Sequence, residues 1–346
     1  MEAPLKSELS YREKRQIDWS SAGILGVLLF MIILFSVMNP NFSTARNVGN
    51  ILRQISIVGI CAVGMTAVVL TAGIDLSVGS VIGLSAVIGA MLMSSGVPIW
   101  LSIIVVLVIG VATGLFNAFC VTHLGIPPLV TTLGTWTAWR GLIYVITGGR
   151  SVYGIPPGFK VIGQGDIWVF PISAIFMIVA FIVGHIVLNK TVFGRRIYSI
   201  GGNVEAARLS GIRVRLELTK VYVASSLLAV VAGLVLMSKV NSGQPSAGAG
   251  YEIDIVTAVL LGGVSVYGGE GKLLKVIIGV VFMGVLANGM MMLNIGEYQQ
   301  QLVKGLVLLL AVAMDIMTKN YNENQQKRAE AGKNRAMSGE AAERAV

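Results

Sequence analysis

Charged side chains are scarce in this sequence of 346 residues: Asp, Glu, Lys and Arg together make up 12% of it, against about 25% in a typical soluble domain. Hydrophobic residues make up 55%, and the mean hydropathy is +0.79. A soluble domain of this length could not hide so much apolar surface from water. The composition therefore excludes an ordinary soluble protein and predicts one whose outer surface faces lipid.

Residues that build catalytic and metal sites are also few. The two cysteines, Cys61 and Cys120, lie in apolar runs without CxxC spacing, which favours buried thiols over a disulfide or a metal site. The two histidines, His123 and His185, are far apart in sequence. The phosphate-binding loop GxxxxGK followed by Ser or Thr is missing, as are the HExxH and GxSxG motifs. We therefore expect no catalytic residue, metal ligand or nucleotide site on this chain.

Long apolar runs are what the sequence has in abundance. A bilayer core of about 30 Å requires about 20 apolar residues per helix, and ten runs approach that length, although the third and the eighth are short. We predict an all-α, polytopic membrane protein with about ten transmembrane helices, some short or broken, at residues 21–38, 51–70, 78–93, 98–120, 128–147, 169–188, 217–237, 253–268, 273–293 and 299–318. This domain, 21–318, lies between a cytoplasmic segment, 1–20, and a polar, disordered cytoplasmic tail, 319–346.

Basic residues give the chain a net charge of +9 and concentrate in three places, namely 1–20, 190–220 and the tail after residue 318. Loops rich in Lys and Arg stay on the cytoplasmic side of a membrane, and ten spans put all three places on one side. Both termini and the 190–216 segment are therefore predicted to be cytoplasmic. Because the basic residues are confined to loops and ends, we expect no nucleic-acid partner.

The 190–216 segment combines glycine with charge and is long for a simple connection. Residues 203–209 are predicted to form a short helix, because Asn203 can cap its start and Glu205 would lie in its first turn. Gly211 can end this helix in a left-handed conformation. Such a helix would offer a rigid projection to a partner protein, while the composition alone is equally typical of a basic cytoplasmic loop.

A group of polar residues interrupts the apolar runs near residue 75. Asp75 lies among Gly73, Ser77 and Gly79, which predicts a helix break that faces protein or water instead of lipid. Asp75 could line a solute pathway, or Asp75 or Ser77 could cap the third span, and the sequence leaves both open. Asn117 and Asn288 could bind a sugar or hold neighbouring helices together. Arg140 could form an ion pair or extend to the membrane surface.

A weak internal repeat relates the two halves of the chain. Gly73 corresponds to Gly263, and Gly79 corresponds to Gly269 at the same spacing. Transporters are often built from repeats whose helices are broken at matching places, although 42 glycines could also produce this pattern by chance. A genuine repeat would place a second helix break near residues 262–269.

Specific motifs resemble those of a known family. Glu205-Ala206-Ala207 followed by Gly211 resembles the EAA-xxx-G coupling motif of ABC importer permeases. Three longer blocks, 62–80, 194–212 and 242–271, are similar to the signatures of the ribose, xylose and arabinose type permeases, and 301–315 fits their final helix. The resemblance covers about residues 20–318 and implies a multi-pass permease of the bacterial inner membrane that imports a monosaccharide.

The resemblance also implies partners and site residues. We expect a cytoplasmic ABC ATPase, which would hold the ATP and magnesium. A periplasmic sugar-binding protein would dock on the loops 148–168 and 239–254. The remaining expected partners are a second permease copy or a close paralogue, and membrane lipid. This chain itself would carry no cofactor. The ATPase-coupling residues implied by the motif are Gly194, Arg195, Gly202, Asn203, Glu205, Ala206, Ala207, Arg208 and Gly211. Candidates for the translocation path or a helix break are Gly73, Asp75, Ser77, Gly79, Asn117 and Asn288.

An ion-coupled secondary transporter is the alternative. Such a protein would place a charged coupling group in the middle of the membrane, and Asp75 and Arg140 are the available groups. A membrane enzyme is disfavoured because the sequence offers no constellation of acid, base and nucleophile. The particular sugar stays open at this point.

Overall fold

The computed structural model describes residues 19–168 and 170–317, so most of the predicted N-terminal segment and the tail lie outside the described residues. The described part contains thirteen helices. They are α1 Trp19–Met38, α2 Ala45–Leu70, α3 Val78–Ser94, α4 Ile99–Thr122, α5 Pro128–Thr147, α6 Pro157–Gln164, α7 Ile172–Lys190, α8 Val192–Gly202, α9 Val204–Leu209, α10 Val214–Val240, α11 Tyr251–Leu261, α12 Leu273–Met292 and α13 Glu297–Met317. A hairpin of two short strands, β1 Asp166–Ile167 and β2 Phe170–Pro171, precedes α7.

Each of the ten predicted spans coincides with a helix, and the described part is mostly helical as expected. Six helices, α2, α4, α7, α10, α12 and α13, are long and apolar enough to cross a membrane. The eighth predicted span, 253–268, is shorter than expected, because α11 ends at Leu261 and Gly263 then adopts a φ of +75°. At 1.5 Å per residue, the 11 residues of α11 span about half of a bilayer core.

The helices form an inner and an outer layer. Helix α10 packs against α2, α3 and α4, and 72% of its most apolar stretch is buried, against 6% for α13. Backbones approach closely where glycine replaces a side chain, as at Gly64, since a Cβ there would lie 2.8 Å from the Cα of Ser225 on α10. Helices α4, α7 and α13 expose large apolar side chains such as Val108, Ile182 and Leu309. This pattern suits a bundle whose outer layer contacts lipid.

The two ends of the bundle differ in composition. At one end, Leu70 at the end of α2 meets Gly201 of α8 and Gly269 before α12. We call this the glycine-rich end. At the opposite end, Asn47 of α2 bonds to Asn288 of α12. This second end carries the long loops and is called the loop end.

The long loops of the loop end contact each other. Val152 and Gly243 exchange two backbone hydrogen bonds of 2.9 and 2.8 Å, which join the 148–168 loop to the 239–254 loop. Helix α6 lies on the end of α10, where the Ser238 hydroxyl accepts from the Gly163 N–H at 2.8 Å and donates to the Phe159 carbonyl at 2.8 Å. The two loops that the sequence assigned to one face thus form one connected surface.

Candidate functional site

The short helix predicted in the 190–216 segment is present as α9. Its N-cap is Asn203, whose side-chain oxygen accepts from the Ala206 N–H at 2.9 Å, and Glu205 lies in the first turn. Gly211 follows the helix with a φ of +82° and donates its N–H to the Arg208 carbonyl at 3.0 Å. The local sequence signals at both ends of this helix therefore predicted its limits.

Helix α9 projects from the bundle. Ala207 is buried and fixes the helix to the protein, whereas Glu205 and Arg208 are exposed and form an ion pair of 2.8 Å. Leu209 is 83% exposed, which is unusual for so large an apolar side chain at an end of the bundle that carries basic loops. An exposed leucine beside charged groups is typical of a surface that another protein covers.

Helix α8 was not predicted, and it fastens α9 to the spans. Gly194 packs against the backbone of Leu188 at the end of α7, where a Cβ would come 2.7 Å from the Leu188 Cα. Glu217 of α10, which is fully buried, accepts hydrogen bonds from Arg196 at 2.7 Å and from Lys220 at 2.9 Å. Arg195 is exposed. The Arg196–Glu217 ion pair holds α8 against the start of α10.

The far end of α8 touches both helix breaks. The Gly269 N–H donates to the Leu70 carbonyl at 2.9 Å, and a Cβ on Gly201 would collide with both of these backbone groups. The Tyr198 hydroxyl donates to the Gly271 carbonyl at 2.9 Å. Burial raises the pKa of Tyr198, so the hydroxyl keeps its proton and stays a donor. We call the contact of Gly201, Leu70 and Gly269 the backbone joint.

Asp75 is at the centre of a buried hydrogen-bond network. Its carboxylate accepts from the backbone N–H and the hydroxyl of Ser77 at 3.1 and 2.5 Å, and from the Ser225 hydroxyl at 2.9 Å. The Asn117 amide donates to the Ser77 hydroxyl at 2.8 Å. Asp75, Ser77 and Asn117 are all fully buried. The network joins the chain between α2 and α3 to α4 and α10.

The other predicted path residues lie beside this network or far from it. Gly73 packs near the Tyr222 hydroxyl, and Gly79 packs against the Glu252 carboxylate. Asn288 pairs with Asn47 in two hydrogen bonds of 2.8 and 3.1 Å at the loop end. The structure therefore brings Asp75, Ser77 and Asn117 together and leaves Asn288 apart from them.

Arg140 fastens α5 to the loop before α11. Its guanidinium donates to the carbonyls of Pro245 and Ala247 at 2.9 and 2.7 Å, and to the carbonyl of Gly79 at 3.3 Å. These carbonyls belong to two different parts of the chain, so the arginine connects the start of α3 with the 239–254 loop. Hydrogen bonding to backbone carbonyls was not among the roles expected for Arg140, which were an ion pair or extension to the membrane surface.

A cavity of about 500 Å³ lies between α2, α11, α12 and α13. Polar side chains in its wall include Gln54, Asp254, Gln300, Gln301 and Lys304. The sequence contains a signal for it, because Glu297, Gln300, Gln301 and Lys304 recur on one face of the otherwise apolar last helix. This cavity was not among the predicted sites.

An ion pair crosses the wall of the cavity. Lys304 Nζ lies 2.7 Å from Asp254 Oδ2, and this contact links α13 to α11. Within the described residues, three or more His, Cys, Asp or Glu side chains are nowhere grouped as they would be to hold a metal ion. The cavity therefore presents paired charges and amides.

The sequence matches known transport proteins along most of its length. Residues 47–312 match the family model described as branched-chain amino acid transport system, permease component. The chain belongs to this family of permeases. It is thus a subunit of an ABC transport system without a catalytic role, and a multi-pass protein of the inner membrane. Membership of the family implies an ATPase subunit and a solute-binding protein as partners.

Several curated relatives of the permease carry sugar names. The ribose import permease protein RbsC of Bacillus subtilis (strain 168) is 40% identical over 317 residues, which cover 90% of this chain and 98% of the relative. The L-arabinose transport system permease protein AraH and the xylose transport system permease protein XylH, both of Escherichia coli (strain K12), are 37% and 34% identical. They cover 86% of this chain, and the matches span 90% and 91% of the relatives. No solved structure matches the permease.

Proposed function

We propose that this permease forms the membrane path of an ATP-driven, binding-protein-dependent importer for a monosaccharide such as ribose, arabinose or xylose. The observation that carries the proposal is the α8–α9 unit, an exposed helix fastened by the Arg196–Glu217 ion pair and by the backbone joint to both helix breaks. The sugar names of the relatives support the class of solute, in preference to the branched-chain amino acid in the family description.

In this proposal, α9 docks on the cytoplasmic ATPase. Glu205, Ala206, Arg208 and Gly211 face the partner from the exposed side, and Ala207 anchors the helix from below. Asn203 maintains the start of the helix through its cap. Gly194, Arg195 and Gly202 belong to the connecting helix α8, along which movement of the ATPase reaches the backbone joint.

The orientation of the chain follows from this docking. The glycine-rich end, the N-terminal segment and the tail are cytoplasmic in our proposal, and the loop end is periplasmic. The surface formed by the 148–168 and 239–254 loops then receives the sugar-binding protein. The bonded pair Val152 and Gly243 supports a single docking surface there, since it holds the two loops together.

A second copy of the chain, or a close paralogue, is proposed to cover α13. This helix is only 6% buried over its most apolar stretch, and Gln300, Gln301 and Lys304 on it line the cavity shared with α2, α11 and α12, so a partner chain over α13 would keep these groups away from lipid. Lipid would instead cover the uniformly apolar outer faces of α4 and α7. The chain thus distinguishes a protein-facing helix from lipid-facing ones.

We assign the predicted path residues near Asp75 to the helix break. Asp75, Ser77 and Asn117 have their polar groups directed at one another, and Gly73 and Gly79 allow α10 and α11 to pack closely. Asn288 is assigned to helix packing through its pair with Asn47. Ion coupling through Asp75 is less well supported, because its carboxylate is already bonded to Ser77 and Ser225.

The coupling role is tested with Glu205→Lys, which reverses the charge at the exposed start of α9. We expect sugar uptake to fall by about tenfold or more in proteoliposomes that contain the ATPase and the binding protein, because one lost charged contact weakens docking by about that factor. Arg46→Glu, an equally large charge change at an exposed residue of the loop end, is the control. Normal uptake by Glu205→Lys would remove α9 from the coupling mechanism.

A further inference from the structure

The cavity between α2, α11, α12 and α13 lies in the half of the bundle nearest the loop end. Gln54 in its wall is nine residues from the start of α2 and sixteen from Leu70, which are about 14 and 24 Å along a helix. The α11 residues in the wall come from the first turn of that helix, and those of α13 lie between Glu297 and Leu308. Val58, the wall residue of α2 nearest the glycine-rich end, is 12 residues from Leu70, so about 18 Å of α2 separates the cavity from that end.

We propose that this cavity is a binding site for a neutral, polyhydroxylated solute, one site per chain, on the transport route. The inference rests on the proposed import function and names the residues of this chain that hold the solute inside the membrane. The volume of about 500 Å³ lies within the usual range for small-molecule sites.

The polar groups in the wall match a sugar better than an ion or an aliphatic amino acid. Three amides, those of Gln54, Gln300 and Gln301, each offer both donors and an acceptor, as does each hydroxyl of a sugar. The wall also contains apolar residues such as Val58 and Met283, on which the C–H face of a sugar ring can pack. Acidic residues outnumber basic ones in the wall, which disfavours an anion.

Asp254 gives independent support for a ligand in this cavity. The residue is only 9% exposed, its Oδ2 is bonded to Lys304, and its Oδ1 accepts no hydrogen bond from any described residue. A buried carboxylate oxygen without a donor is costly, and a hydroxyl group of a solute supplies the missing donor. The Asp254–Lys304 pair is therefore the polar centre of the site.

The site has a physical connection with the coupling unit. Lys304 lies 11 residues before Asp315 on α13, about 16 Å along the helix. Asp315 accepts from the Val266 N–H at 3.2 Å in the break between α11 and α12, and that break ends at Gly271, which bonds Tyr198 of α8. Helix α13 thus runs from the site to the segment that α8 contacts.

The test is thiol labelling of Gln301→Cys in the intact importer, with N-ethylmaleimide and each of D-ribose, L-arabinose, D-xylose and L-leucine as added solute. The natural thiols, Cys61 and Cys120, are buried, so the background is low. We expect a sugar to slow labelling at position 301 by about tenfold. The control, Arg46→Cys at an exposed residue of the loop end, keeps its rate. Protection by L-leucine alone, or by none of the solutes, overturns the proposal.

Transport kinetics give a second readout. Lys304→Met is expected to raise the KM for sugar uptake by about tenfold, the effect of one lost hydrogen bond to a charged group. An unchanged KM would contradict a role in the site. If the wild-type complex imports sugar while position 301 is not protected, the site is wrong and the import function stands. If the wild-type complex imports no sugar, the proposed function itself fails.

Discussion

The two helix breaks of this permease, residues 71–77 and 262–272, are stabilised in different ways. The first is packed by side chains: Asp75 is fully buried and accepts from Ser77 and Ser225, which belongs to another helix. The second relies on its backbone and contains four glycines with positive φ, while Asp315 makes only long contacts with it, at 3.2 and 3.4 Å.

We propose that the first break is structural and that the second transmits movement. Three helices, α4, α5 and α10, bond to the 71–77 break and fix it in place. The bond from α5 runs from the Thr132 hydroxyl to the Ile74 carbonyl at 2.9 Å. The 262–272 break is contacted by α8 through Tyr198 and Gly201. We therefore expect changes at the first break to reduce stability and changes at the second to reduce coupling.

The largest effect on stability is expected from Asp75→Ala. The substitution leaves the Ser77 and Ser225 hydroxyls without their buried acceptor, at a cost of about 3 kcal/mol. The equivalent change at the second break, Asp315→Ala, should cost about 1 kcal/mol or less because its contacts are long. The two destabilisations are compared by measuring the melting temperatures of the purified variants in detergent. Equal decreases in the two variants would contradict the distinction between the breaks.

A change at the backbone joint is expected to affect transport more than stability. Gly201→Ala places a Cβ against the Leu70 carbonyl and the Gly269 N–H, and such overpacking costs about 1–3 kcal/mol, enough to reduce uptake about tenfold or more. The neighbouring substitution Gly202→Ala is the matched control, since a Cβ there meets nothing within 4 Å. Uptake and ATPase rates are measured together in proteoliposomes. Equal uptake by the two alanine variants would show that the joint does not limit coupling.

The smallest effect is expected from Tyr198→Phe, which removes only the hydrogen bond to the Gly271 carbonyl. One neutral hydrogen bond contributes about 0.5–1.5 kcal/mol, so uptake should fall by severalfold and the melting temperature only slightly. Tyr144→Phe, at a side chain of α5 that is 47% exposed, provides the control. A decrease in uptake of similar size in both variants would show that the Tyr198 hydrogen bond has no role in coupling.

Local signals in the sequence predicted the elements that depend on local chemistry. The apolar runs located nine of the ten span helices to within about six residues, because the requirement for a long apolar segment acts on each run separately. Asn203 and Gly211 gave the limits of α9, because caps depend on residues next to the helix. The one span predicted too long, 253–268, failed at Gly262, where a turn starts inside an apolar run.

Contacts between distant parts of the chain were not predictable from one sequence. The hydroxyl that completes the Asp75 network belongs to Ser225, 150 residues further on, and Lys304 is 50 residues from Asp254. Periodicity shows which face of a helix is polar but not which helix lies opposite. The cavity therefore required the arrangement of four helices, and α8 required the packing of Gly194 on α7.

The backbone joint has a mechanical consequence. Ordinary contacts between helices pass through side chains, which can change rotamer and absorb a small displacement before the neighbouring backbone responds. At Gly201, Leu70 and Gly269 three main chains touch directly. If the ATPase docks on α9 as proposed, we therefore expect a displacement of α8 to reach the end of α2 and the segment before α12 together.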